Sequence, residues 1–217
     1  MAGALQPKQY LNVAGRALIE WALMPFLARA DCAGCIVVLD REDERWRSLA
    51  IAADSRIATV TGGAERADSV RAGLAALSAQ AATDDWVLVH DAARPCLPAT
   101  DLDTLLSTLW SDPVGGLLAA PVVDTLKRAD DGGHVECTVA RTSLWHALTP
   151  QMFRYGALVK ALDAVAGARG EVTDEAQAIE ETGLRPRLVA GSSDNLKVTV
   201  PDDLERVRRI LSQRPLA

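Results

Sequence analysis

The sequence predicts an α/β fold, a Rossmann-like and mainly parallel sheet flanked by helices, and three observations lead to it. Short apolar runs rich in β-branched residues alternate with stretches of helical periodicity, as expected of strand–helix units wrapped on both faces of one sheet. Acidic and glycine-containing loops follow several of those runs, where open α/β sheets place their chemistry. One segment, 121–148, breaks the alternation and reads as a pair of strands protruding from the sheet.

Taken in order, the strand candidates are 35–39, 57–60, 86–89, 116–122 and 196–200, each bounded by polar or turn residues. Between the second and third, residues 65–78 carry Val70, Leu74 and Leu77 at helical spacing, and 101–110 follows the third strand with another amphipathic pattern. Residues 153–165 and 173–181 also read as helices. Pro201-Asp202-Asp203 opens a further one, with proline at its start and acids facing the positive end of the dipole. In 121–148 two β-like runs flank the turn Asp130-Asp131-Gly132-Gly133, the second at 134–139, with no helix between them. A ribbon of two strands is marginal in water, so it either packs on a partner subunit or folds back on its own domain.

The 217 residues fit a single domain, 1–217, large enough to bury a core without disulfide staples. A formal charge of −6 disfavours a nucleic-acid surface, and no apolar run approaches the roughly 20 residues needed to cross a bilayer. Met1-Ala2-Gly3-Ala4-Leu5-Gln6 lacks the basic-then-apolar grammar of an export signal, so the expected location is cytoplasmic. Cys32-Ala33-Gly34-Cys35 has redox or metal-knuckle spacing. With no second pair and no histidine nearby, all four cysteines (Cys32, Cys35, Cys96, Cys137) are expected to be buried structural thiols.

Several short motifs carry chemistry. After Trp86-Val87-Leu88-Val89 comes His90-Asp91-Ala92-Ala93-Arg94-Pro95. Its carboxylate suits a hard cation such as Mg²⁺ and its arginine suits a phosphate, although Asp91 also serves as a helix cap and Arg94 as a surface cation on the plainer reading. Thr61-Gly62-Gly63-Ala64-Glu65-Arg66-Ala67-Asp68-Ser69 joins a strand to a helix, so it is either an ordinary loop or one whose glycines and amides approach a ligand. Lys8, the helix-capping Thr173-Asp174-Glu175 and the strand-like Asn195-Leu196-Lys197-Val198-Thr199 each have a purely structural explanation when taken alone.

Together, and in this order, these pieces resemble the 2-C-methyl-D-erythritol 4-phosphate cytidylyltransferase family of the non-mevalonate isoprenoid pathway. The resemblance runs through Pro7-Lys8-Gln9-Tyr10-Leu11, Gly62-Gly63 to Val70, Val89 to Pro95, Ala120-Pro121 to Lys127, Thr138-Val139 to Phe153, Thr173-Asp174-Glu175-Ala176 and Asn195-Leu196-Lys197-Val198-Thr199. Leu144-Trp145-His146-Ala147-Leu148-Thr149-Pro150-Gln151 is long enough to set chance aside.

The resemblance implies a nucleotidyltransferase fold, a homodimer held by the β-arm at about 121–148, and a Mg²⁺-dependent reaction of CTP with methylerythritol phosphate that releases pyrophosphate. It implies that Lys8 stabilises the charged transition state at the α-phosphate and that Asp91 holds the metal against CTP. Gly63 and Ser69 recognise the base, with Arg66 supporting their loop. Arg94, Thr173 and Lys197 meet the acceptor within one subunit, while Thr125, Arg141 and Thr149 reach the neighbour's substrate. Lys197 and Arg141 aim the attacking phosphate.

Three departures accompany the resemblance. Ala64 and Ala140 stand where the family often has acids. The family also begins with an apolar strand and a glycine-rich loop that would precede Pro7. The expectation is that Met1 is internal to a longer protein and that the chain without that loop is crippled. A fused second domain would need about 150 further residues after Ala217, so the bifunctional version of the family is not the expectation here. Two other functions stay open: a ribitol-phosphate-type cytidylyltransferase and a non-catalytic nucleotide-binding protein.

Overall fold

The computed structural model describes residues 6–166 and 172–213; the opening segment, on which the expectation about Met1 falls, lies outside them. The chain forms a hairpin of β1 (Asn12–Val13) and β2 (Arg16–Ala17), then α1 (Leu18–Leu27), β3 (Cys35–Leu39), β4 (Ile57–Thr61), α2 (Arg66–Leu77), β5 (Trp86–Val89), α3 (Ala99–Leu109) and β6 (Gly115–Pro121). It continues through β7 (Leu126–Ala129), β8 (Val135–Val139), β9 (Trp145–Arg154), α4 (Tyr155–Val165), α5 (Glu175–Glu181), β10 (Arg187–Ala190) and α6 (Pro201–Ser212).

The main sheet has the order β10-β6-β9-β5, and β3 pairs with β4 in parallel beside it in a separate ladder. β10 runs parallel to β6, whereas β9 is antiparallel to both β6 and β5, so three of the four strands share one direction. The exception follows from the chain path. A chain that leaves β6 through a hairpin and returns beside it must come back reversed.

Consecutive residues of a strand face opposite sides, and the core divides accordingly. On one face Leu117 and Phe153 pack with Leu74 of α2, Leu158 and Leu162 of α4 and Ile179 of α5. On the other, Leu118 and Met152 pack with Leu102, Leu105 and Leu109 of α3. A third cluster joins Leu18 and Trp21 of α1 to Val198 and to Val207 and Leu211 of α6. These contacts bring the carboxyl ends of β3 and β5, the start of α2 and the segment before α6 to one rim.

The projecting ribbon forms as expected: β7 and β8 pair antiparallel, and their turn is closed by Asp130, whose Oδ1 accepts from the Gly132 and His134 amides. Val123, Val135, Leu144 and Trp145 remain exposed on it or at its base.

Three expectations are corrected. Segment 196–200 is not a strand; its Val198 amide donates to the Ala93 carbonyl at 2.8 Å, and Pro201 then begins α6. The helix expected from 153 starts at Tyr155, because 145–154 continues as a sheet strand. Of the cysteines only Cys96 is buried. Cys32, in the loop leading into β3, and Cys35, its first residue, are half-buried with their Sγ atoms 3.8 Å apart, and Cys137 is exposed because its strand belongs to the ribbon.

Candidate active site at the ends of β3 and β5

Asp91 lies two residues past Val89, the last residue of β5, and three cations gather on its carboxylate. Lys197 Nζ lies 3.0 Å from Oδ2, Arg94 Nε lies 3.6 Å from the same oxygen, and Arg66 Nε lies 3.4 Å from Oδ1. Burial opposes ionisation of Asp91, but the charges of Arg66, Lys197 and Arg94 outweigh it and hold the carboxyl below its ordinary range. The group is therefore anionic at neutral pH.

The loop that carries Asp91 is fixed from beneath by His90, which is half-buried. Its Nε2 is 3.1 Å from the Arg94 carbonyl, which can only accept, so Nε2 bears the proton. Nδ1 then accepts from the Thr149 hydroxyl at 2.8 Å, and that hydroxyl in turn accepts from the Asp91 amide at 3.2 Å. Burial lowers the imidazole to about 4, which keeps this relay in its neutral form.

Arg66 is the first residue of α2 and is gripped by Glu175, the first residue of α5. The pair is two-pronged, with Nη1–Oε1 at 2.5 Å and Nη2–Oε2 at 2.9 Å, and the Glu175 side chain is 1% exposed. Burial pushes the Glu175 carboxyl upward, and Arg66 pulls it back. The start of α5 is itself held: Asp174 Oδ1 accepts from the Gln177 amide, while buried Gln151 donates to Asp174 Oδ2 and accepts from the Ala176 amide.

The loop before α2 is built for close approach. The Gly63 amide donates to Ser69 Oγ at 3.3 Å, and a Cβ on Gly63 would stand 2.3 Å from the Asp68 Cβ, which the helix holds in place. Lys8 is exposed on a single 3₁₀ turn, Lys8–Tyr10, with Nζ 3.1 Å from the Val198 carbonyl. Lys8, Asp40, Asp91 and Lys197 all line one open cleft of about 270 Å³ between the ends of β3 and β5.

The structure thus gathers Lys8, Arg66, Asp91, Arg94 and Lys197 at one rim. Arg94 is largely enclosed and spends its Nη donors on the carbonyls of Asn195 and Ala147. Thr173 is exposed before α5, its hydroxyl donating to Gln177 Oε1. Thr149 is buried beneath the Asp91 loop in the relay described above. Thr125 and Arg141 sit exposed on the ribbon, outside the group around Asp91, and Arg141 donates to the Val123 carbonyl.

Glu175, His90, Gln151 and Asn195 escaped the reading of the sequence. Glu175 did carry a signal: it lies three and four residues before Ala178 and Ile179, which puts a charge on the buried face of its helix. Asn195 is fully buried and donates from Nδ2 to the Thr149 carbonyl at 2.7 Å, tying the Lys197 segment to β9.

Among the described residues no three His, Cys, Asp or Glu side chains gather to chelate a metal. The single ionised Asp91 beside an open cleft nonetheless fits Mg²⁺, which takes one or two carboxylates and completes its shell with water and substrate phosphates.

Residues 2–213 match the family model described as IspD: 2-C-methyl-D-erythritol 4-phosphate cytidylyltransferase. The protein of that name from Pseudomonas putida (strain GB-1) is 56% identical over 205 residues, covering 94% of this chain and 87% of the relative. That from Ectopseudomonas mendocina (strain ymp) is 54% identical over 210 residues, covering 96% and 89%. Among solved structures, a 4-diphosphocytidyl-2C-methyl-D-erythritol synthase superposes with a TM-score of 0.86 at 40% identity, covering 94% of each chain. The Francisella tularensis cytidylyltransferase superposes with a TM-score of 0.84 at 32% identity, covering 94% and 93%.

Proposed function

The chain belongs to the 2-C-methyl-D-erythritol 4-phosphate cytidylyltransferase family, and from that membership we propose how its residues carry out the reaction. It is a CTP-dependent nucleotidyltransferase of isoprenoid precursor biosynthesis. It joins CTP and 2-C-methyl-D-erythritol 4-phosphate to give 4-diphosphocytidyl-2-C-methyl-D-erythritol and pyrophosphate.

In the step itself an oxygen of the acceptor phosphate bonds to the α-phosphorus of CTP while the bond to the pyrophosphate oxygen breaks. The attacking phosphate is already anionic near neutral pH, so no base has to remove a proton. The protein's task is to bring two polyanions together and to offset the charge that builds on the α-phosphoryl oxygens.

The observation that carries this reading is the convergence of Arg66, Arg94 and Lys197 around one ionised carboxylate beside an open cleft that Lys8 also lines. Bound Mg²⁺ would supply charge neutralisation to the triphosphate, with Asp91 as its protein ligand. Lys8, an exposed cation that lines the cleft, meets the α-phosphate. Gly63 and Ser69 hold the cytosine against the start of α2, where no Cβ stands between backbone and base, and Arg66 braces their loop. Lys197 is 41% exposed and bonded only to Asp91, so it is free to exchange that partner for the acceptor phosphate, which Arg94 and Thr173 approach from the same subunit. Thr125, Arg141 and Thr149 are assigned to the neighbour's acceptor. For Thr149 this requires its hydroxyl to leave the His90 relay, whereas the exposed Thr125 and Arg141 need no such change.

We assign residues 1–217 to one domain, its ribbon to a homodimer contact, and the enzyme to the cytoplasm. Among the described residues no helix is long and apolar enough to cross a membrane. The test is pyrophosphate release with CTP, Mg²⁺ and each acceptor in turn. Turnover with methylerythritol phosphate and not with ribitol phosphate supports the reading. Asp91→Asn should lower kcat at least ~10²-fold, as removal of a charge-stabilising group does elsewhere. Unchanged turnover in that variant would remove Asp91 from the site.

A further inference from the structure

Asp91 has two unlike oxygens. Oδ2 is engaged by Lys197 at 3.0 Å and approached by Arg94 at 3.6 Å. Among the described residues Oδ1 has only long contacts, both of 3.4 Å and both from Arg66. The reason Arg66 stops there is visible: its two short bonds go from Nη1 and Nη2 to Glu175, at 2.5 and 2.9 Å, and hold Nε and Nη2 no closer than 3.4 Å to Asp91. Glu175 cannot follow Arg66 if it moves, because its helix start is pinned through Gln151 and Asp174, and its own side chain is buried.

We propose that Glu175 is a positioning residue that holds the Arg66 guanidinium off Asp91 and so keeps Oδ1 of Asp91 open to the divalent cation that accompanies the nucleotide. The proposal rests on the assignment of Asp91 to that cation. Two charges compete for Arg66, and which one captures it decides how much negative charge Asp91 has left. Guanidinium prefers a planar two-pronged carboxylate. With Glu175 present it has one at α5 and makes none at β5. Without that charge the nearest remaining carboxylate is Asp91, whose Oδ1 would be covered by a full fork, leaving a neutralised pair where a metal ligand stood. A structural brace and a positioning residue therefore differ in what they do to metal binding, even if both steady the fold.

The experiment measures CTP binding calorimetrically with and without Mg²⁺ in wild type and in Glu175→Gln, together with thermal denaturation of each. The quantity read is the factor by which Mg²⁺ tightens CTP. It is expected to fall at least tenfold in the variant, with metal-free CTP binding unchanged or tighter because the site has lost a negative charge. Asp91→Asn should remove the same factor, and Glu175→Gln added to it should change nothing further. If Glu175→Gln keeps the full Mg²⁺ effect and merely lowers the melting temperature, Glu175 is only a brace and the proposal is overturned. If Glu175→Gln does not fold, Glu175→Asp carries the same comparison, since its carboxylate stops one methylene short of Arg66; a full Mg²⁺ effect there also overturns it. A wild type that binds CTP with no Mg²⁺ effect at all would instead be a failure of the Asp91 assignment.

Discussion

Cys35 shows how a single side chain ties pH to stability in this fold. It opens β3 facing Cys32, and desolvation, reinforced by the neighbouring thiol, raises its ionisation from 9.0 to about 12. In the unfolded chain the thiol would ionise near its ordinary value. The folded state is therefore not penalised below about pH 9, and it loses stability as pH rises from there toward 12. Urea denaturation at pH 8 and pH 10.5 should show this loss in wild type and a smaller one in Cys35→Ala; equal losses would mean the thiol is not desolvated. The same scale explains what could be read of the site. Lys8, Asp91, Arg94 and Lys197 stand out because charged residues beside apolar runs need a reason to be there. Glu175 and His90 act from beneath, through burial and tautomer, and only the fold shows that both ring nitrogens of His90 are engaged or that the partner of Glu175 comes from 109 residues away.

At the scale of elements, local pattern was sufficient where a segment has one available role and failed where the partner decides. Runs 35–39 and 86–89 form strands with the expected bounds. Leu196-Lys197-Val198-Thr199-Val200 alternates just as well, yet among the described residues its one backbone-to-backbone bond to a distant segment is from Val198 to Ala93, so it is not part of a ladder. β9 was hidden for the opposite reason: Pro150 and a mixed composition mask a strand that is specified by insertion between β5 and β6. The first hairpin gives a test at this scale. Its two-residue turn has positive φ at both positions, 49° at Ala14 and 84° at Gly15, the twist-matched turn that favours Asn-Gly. A left-handed alanine costs about 1 kcal/mol, and Ala14 is exposed, so Ala14→Asn should stabilise by roughly 0.5–1 kcal/mol. Calorimetry should find Tm raised by about 1–4 °C; no rise would mean the turn does not demand that geometry.

For the whole molecule the ribbon is the element that the chain by itself does not account for. Val123 is 71% exposed and Val135 63%, and Trp145 and Leu144 at its base are also open, which is more apolar surface than a two-stranded ribbon justifies in water. A twofold dimer would cover it and would carry Arg141 into the site of the other subunit. That arrangement can be tested without a structure of the dimer. In that arrangement Arg141→Ala would remove a group donated to the neighbour and Lys197→Ala a group used at home, so each variant alone should be nearly inactive. In a mixed dimer the subunit with Lys197 intact receives Arg141 from the other, so one of its two sites is complete while the second lacks both groups. Refolding equal amounts together makes half the dimers mixed, and turnover should recover to about a quarter of wild type on statistical assembly of a twofold dimer. If both residues served a site within one chain, every site in the mixture would lack one of them and no activity would return. Recovery would therefore establish the dimer and the crossing of the ribbon in a single measurement.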